Sequence, residues 1–173
     1  MTEAPTAFQR GHDHDRCVRH ALNAAMSHCR REGVRLTPLR RKVLEAVWSS
    51  HHPIGAYEIC DRLVAHGDKV LPPTVYRALD FLEQNGLVHR IATLNAFIGC
   101  NQPDSHAHGR YLICSDCGSV AELPAGDLMD RFAREAEALQ FEARSVRIEA
   151  VGLCAACAAS TPAPGPHLSA RAR

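Results

Sequence analysis

The sequence predicts an α+β chain in two parts: an N-terminal winged helix-turn-helix domain, then a small α/β domain stapled by four cysteines. Three observations carry this. Apolar residues recur at helical spacing up to Gly86, two short extended stretches follow, and two Cys-x-x-Cys units lie 36 residues apart in the second half.

Residues 1–15 contain Pro5, Gly11 and the tract His12-Asp13-His14-Asp15 without sustained apolar periodicity, and are expected to be a disordered tail. From Arg16 to Arg31, Val18, Leu22, Ala25, Met26 and Cys29 mark one helical face, and Gly33 is a plausible stop. Thr37-Pro38 reads as an N-cap with proline at the first helical position, opening a helix to about Ser50 whose apolar face is Val43, Leu44, Val47 and Trp48. Pro53 interrupts, and Ala56, Ile59, Cys60, Leu63 and Val64 supply the stripe of a further helix ending near Gly67. Pro72-Pro73-Thr74 starts the next, which buries Val75, Leu79 and Leu82 and leaves Thr74, Tyr76, Arg77 and Asp80 off the stripe. Leu87 to Ile91 and Asn95 to Gly99 then form a small hairpin around Ala-Thr-Leu. Short helices followed by such a hairpin make the winged pattern, placed at 16–100, with turn-formers marking a hinge at 101–105. In the second domain, 106–159, Arg110 to Cys114 and Ser119 to Leu123 are strand-like, Gly126 to Leu139 is an amphipathic helix, and Ala143 to Val151 alternates as a strand. Residues 160–173, with three prolines and a glycine, are expected to be a second disordered tail.

Lys and Arg total 20 against 19 Asp and Glu, a formal net charge of +1, so the whole chain makes no electrostatic case for nucleic acid. Its distribution does. Between Arg16 and Lys42 stand eight basic residues and one acid, Glu32, while Glu122 to Glu142 holds six acids against Arg131 and Arg134. A basic front half is suited to phosphates. The N-terminus Met-Thr-Glu-Ala-Pro-Thr lacks the features of a signal peptide, and no apolar run is long enough to span a bilayer. The eight cysteines are therefore expected to be reduced and cytoplasmic, with no membrane partner.

Cys114, Cys117, Cys154 and Cys157 form two units, each able to give two thiolates to one ion from a tight turn. Four thiolates complete the tetrahedron of a zinc ion and leave no open position, so the expected role is structural. A redox pair is the alternative for one such unit alone; the second unit and the turn-former Gly118 favour the metal. His89, Cys100, His106, His108 and Glu122 surround the expected boundary between the halves, and imidazole, thiolate and carboxylate all bind zinc. Any one of them alone would read as a solvated or core residue. Their clustering suggests a hinge site in which thiolate favours zinc over harder ions, with His108 preferred and His106 as its alternate.

Arg35-Leu36-Thr37-Pro38-Leu39-Arg40, the run Pro72-Pro73-Thr74-Val75-Tyr76-Arg77-Ala78-Leu79-Asp80-Phe81-Leu82 and the paired cysteine units occur in an order that resembles the ferric uptake regulator family, nearest its zinc-uptake branch. The resemblance spans roughly residues 16–158. It implies a zinc-responsive repressor of zinc-uptake genes that binds double-stranded, palindromic operator DNA as a homodimer, with the back half as dimerisation domain. It implies that the helix Thr74 to Gln84 reads DNA, with Arg77 and Tyr57 near base edges and Tyr76 and the basic helices near phosphates. Thr74 and Arg35 complete that set. Arginine is the side chain best suited to bidentate contact with guanine; a surface ion pair of Arg77 with Asp80 or Glu83 is the plainer alternative. The resemblance also implies two zinc ions per chain, one structural and one regulatory, the latter held by His89, Cys100, a loop histidine and Glu122.

An iron- or peroxide-responsive regulator of the same family is the alternative within it, weakened by the absence of a longer poly-histidine run. A zinc-dependent hydrolase or deaminase is the alternative of another class. It fits poorly, because neither Cys114 nor Cys154 follows a proline and no His-Glu-x-x-His occurs. The chain is therefore not expected to be an enzyme.

Overall fold

The computed structural model describes residues 14–49, 52–100, 109–123, 127–143 and 146–160. The hinge expected at 101–105, both candidate ligands His106 and His108, and nearly all of the two expected tails lie outside these residues.

Four helices come first: α1 (His14–Arg31), α2 (Pro38–Trp48), α3 (Ala56–Ala65) and α4 (Pro72–Gln84). The first begins two residues inside the expected tail, since its polar start continues the helix that Leu22, Ala25 and Cys29 anchor in the core. Thr37 caps α2, its side chain accepting from the Arg40 amide at 3.4 Å, as its sequence position predicts. Helix α4 carries prolines in its first turn, where missing N–H groups cost nothing. It ends at Gly86, whose φ of +65° lets the Leu87 amide return to the Leu82 carbonyl at 2.8 Å. That reversal delivers the chain straight into a hairpin, β1 (Val88–Ile91) paired antiparallel with β2 (Ala96–Gly99). Val64 is a correction: it is 51% exposed rather than part of the α3 stripe, which the buried Ile59 and Leu63 already complete.

The hairpin lies between two apolar cores. Val88 and Phe97 face the first, formed by all four helices, and Ile54 exchanges two backbone hydrogen bonds of 2.9 Å with Phe97. Because side chains alternate along a strand, His89, Ile91 and Ile98 face the other way. There Ile91 and Ile98 pack with Tyr111, Ile113 and Val120 of a second sheet. That sheet is ordered β4-β3-β5, with β3 (Arg110–Cys114) antiparallel to β4 (Val120–Glu122) and parallel to β5 (Ile148–Gly152). Helix α5 (Asp127–Ala138) makes the crossover that a parallel pair requires. Strand β5 is shorter than the stretch Ala143 to Val151 because pairing begins only where Ile148 meets Arg110, the first residue of β3. A short helix, α6 (Ala155–Ser160), was not expected; its four alanines favour helix once the chain leaves β5. Among the described residues no helix is long and apolar enough to cross a membrane.

Candidate metal centres and nucleic-acid interface

Strands β3 and β5 end side by side, with Cys114 opposite Gly152, so both Cys-x-x-Cys units emerge at one end of the sheet. Gly118, at a φ of +69°, closes the first turn, and its amide donates to the Cys114 carbonyl at 3.0 Å. Helix α6 starts within the second unit and places Cys157 one turn after Cys154, where the Ala158 amide donates to the Cys154 carbonyl at 2.8 Å. The four sulfurs all lie within 4.8 Å of one another, and those of Cys117 and Cys154 are 3.9 Å apart. A tetrahedral zinc with Zn–S bonds of about 2.3 Å needs sulfurs about 3.8 Å apart, so the cage fits the ion.

Electrostatics agree with the geometry. Amide donation from Cys154, then from Cys117, lowers the Cys114 thiol to about 6, and the Ser119 hydroxyl, 3.2 Å from the Cys117 sulfur, lowers that thiol too. Four sulfurs so close cannot all ionise unaided. Cys157 is pushed up, first by its hydrogen bond to Asp116 and then by Cys154, and a dication removes that conflict.

The second constellation is assembled in part. His89 on β1 and Glu122 at the end of β4 meet across the two halves, with Nε2 3.8 Å from Oε1. That is too long for a hydrogen bond, yet near the roughly 3.4 Å that separates two nitrogen or oxygen ligands of one tetrahedral zinc. Cys100 follows β2, buried, its amide held by the Leu87 carbonyl at 3.0 Å. Tyr111 lies beneath the group: its ring centroid is 5.7 Å from that of His89, and after burial itself Glu122 and Cys100 do most to push its hydroxyl up. Burial also raises the Glu122 carboxyl, against the opposing pull of Arg110. Among the described residues, only the four cysteines have donor atoms all within 4.8 Å of one another. His89, Cys100 and Glu122 therefore form a pair with a third donor nearby.

Sequence reasoning missed the packing at Gly99, the residue before Cys100. The indole of Trp48, the chain's only tryptophan, packs against Gly99, where a Cβ would overlap Cε2 and Nε1. Only the unusual closeness of that packing, invisible in a pattern, demands glycine there. Gly99→Ala should lower stability by about 1–3 kcal/mol through overpacking, read by denaturant melting, and should shift the tryptophan emission.

In the front half, Arg77 and Thr74 are exposed and three residues apart on α4, hence on one face. Among the described residues Arg77 forms no ion pair: Glu83 is taken by Arg147 at 2.5 Å. Tyr57, 66% exposed, meets the half-buried Tyr76 edge to face with centroids 6.2 Å apart. Arg35 is exposed too, and its carbonyl accepts from Arg40 at 2.7 Å while the Arg40 guanidinium stacks 3.4 Å over Phe81. All five residues expected to contact DNA lie among the described residues, and four of them are exposed.

A family model described as the ferric uptake regulator family matches residues 31–151. The zinc uptake regulation protein of Escherichia coli (strain K12) is 40% identical over 137 residues, 79% of this chain and 80% of that protein. A zinc uptake regulator solved in complex with zinc and DNA superposes with a TM-score of 0.78 at 38% identity, covering 83% of this chain and 96% of the other. Holo XcZur gives 0.74 at 41% identity over 80% of this chain and 96% of its own. The paired cysteine cage, the winged front half and these matches lead to one conclusion: this chain belongs to the ferric uptake regulator family.

Proposed function

We propose that the chain is a cytoplasmic, zinc-responsive transcriptional repressor that holds operator DNA as a homodimer when a regulatory zinc is bound, and so controls zinc-uptake genes. The observation that carries this reading is the meeting of His89 and Glu122 across the two halves at 3.8 Å, separate from a four-cysteine group that by itself offers a full ligand set for one zinc. Cys114, Cys117, Cys154 and Cys157 would hold one zinc permanently. His89, Cys100, Glu122 and His108 or His106 would hold the second, whose ligands come from both halves. An ion that binds the DNA-competent arrangement better shifts the population toward it, and DNA in turn tightens zinc binding. Catalysis is not part of this reading, since four thiolates leave no open position at the first ion.

In this reading residues 16–100 bind DNA, 101–105 are the hinge and 106–159 form the dimer. The exposed Leu128 and Phe132, four residues apart on α5 and so on one helix face, support the last assignment, because exposed apolar side chains grouped in this way are ordinarily covered by a partner. Isologous pairing of two such halves would present two α4 helices to a palindrome. The test is retardation of DNA from upstream of zinc-uptake genes: the protein should bind it with zinc and release it on chelation. Failure to bind with any metal would overturn the proposal.

Arg77 is the side chain assigned to a base. Arg77→Ala should weaken operator binding by about 1–3 kcal/mol and relax preference at one base position. Measuring affinity against a panel of single-base operator variants checks this; a uniform loss across the panel would place Arg77 on phosphate instead.

A further inference from the structure

We infer that Glu149 and Arg147 are positioning residues for DNA binding, a clasp without metal that ties the hairpin turn and the last turn of α4 to the back half. The inference rests on the proposed DNA-binding function and adds to it a second set of contacts across the hinge.

Glu149 makes three hydrogen bonds to one turn. Its Oε1 accepts from the Ala92 amide at 2.7 Å, and its Oε2 accepts from the Thr93 amide at 2.8 Å and from the Thr93 hydroxyl. Those amides lie just beyond β1, where the ladder ends and backbone donors need partners from elsewhere. Burial pushes the Glu149 carboxyl up, but the Thr93 and Ala92 donors outweigh it and hold the group below its usual range. The carboxylate is thus ionised and fully engaged at neutral pH. Arg147, two residues earlier, pairs with Glu83 near the end of α4 at 2.5 Å.

The sheet register shows why these contacts matter to the metal reading. Tyr111 on β3 is paired with Glu122 on β4 and with Glu149 on β5. Directly paired residues point to the same face of a sheet, so Glu122, Tyr111 and Glu149 form one row, spaced about 4.8 Å per strand. One end of the row meets His89 and the other meets the turn of the same hairpin. The hairpin is therefore gripped at two points along its length, and only one of them involves metal. Beside these contacts the packing is incomplete: a cavity of about 250 Å³ lies between the halves, lined by Glu83, His89, Tyr111 and Arg147 among others. With the clasp closed, zinc would bind between halves that these contacts already tie together rather than capture a free domain.

The two contacts differ in weight. Several hydrogen bonds to one ionised carboxylate exceed an exposed ion pair, and the Arg147 side chain is 46% exposed. Glu149→Ala should keep two zinc ions per chain and the dimer, and should weaken operator binding at saturating zinc about tenfold or more. Arg147→Glu and Glu83→Arg should each weaken it about threefold, and the double charge swap should recover most of that loss. Amide exchange at Ala92 and Thr93, slow in the unaltered protein, should become fast in Glu149→Ala. Operator affinity unchanged in Glu149→Ala at two zinc ions per chain would overturn the clasp, as would a charge swap no better than the sum of its single variants. If the unaltered protein shows no zinc-dependent DNA binding, the functional reading fails instead. The amide exchange then still decides whether the clasp holds the turn.

Discussion

Cys154→Ser should unfold the back half and leave the front half standing. The second core consists of Ile91, Tyr111, Ile113 and Val120 with Ile98 against it, too few residues to hold a three-stranded sheet alone. Structural zinc contributes on the order of 10–16 kcal/mol in small domains, comparable with or above the roughly 5–15 kcal/mol stability of a whole domain. Loss of one thiolate from a four-sulfur cage, and with it the ion, should therefore remove a large share of what orders β3, β4 and β5. Hydrogen exchange should show these strands losing protection and metal analysis should show the structural ion gone. Helices α1 to α4, whose core is separate and includes the fully buried Val43, Leu44, Val75, Leu79 and Leu82, should stay protected. A back half still protected in this variant would mean that the cage is not its staple.

Cys100→Ser should do the opposite: keep the fold, lose one zinc and lose zinc-dependent DNA binding. Cys100 belongs to neither apolar cluster, and serine preserves its size, so folding should survive. In the proposed site its soft thiolate would be the donor that favours zinc over harder ions. With it gone, affinity for operator at fixed free zinc should fall about 5- to 150-fold, the usual range of a coupling free energy between sites. The change is checked by metal content, circular dichroism and operator titration on one preparation. Undiminished zinc-dependent binding with two ions per chain would remove Cys100 from the site.

What was legible in the sequence follows the range of the interactions concerned. Thr37-Pro38 and Pro72-Pro73 announce helix starts, and Gly86 a helix end, through local chemistry alone; the structure has all three. The four cysteines were legible because a tetrahedral ion demands four donors, and spacing reveals two pairs of them. Their convergence needed the parallel pairing of β3 with β5, which no local pattern states. Helix α6 escaped notice because six residues give too little periodicity. The expected exposure of Thr74 and Arg77 held, whereas Val64 left the core because burial depends on what other elements occupy. Nothing in the sequence singles out Glu149 within the alternating stretch Ala143 to Val151. Its partners lie 56 and 57 residues away, and only the fold brings them together.

The central claim is that zinc at the hinge, and not zinc in the cage, governs DNA affinity. Operator binding measured across a buffered free-zinc range, with the cage ion retained throughout, tests it most directly. Affinity should rise as a second ion binds per chain, with iron(II) and manganese unable to substitute. Binding already complete with one zinc per chain, or activated by iron(II) or manganese and not by zinc, would contradict it.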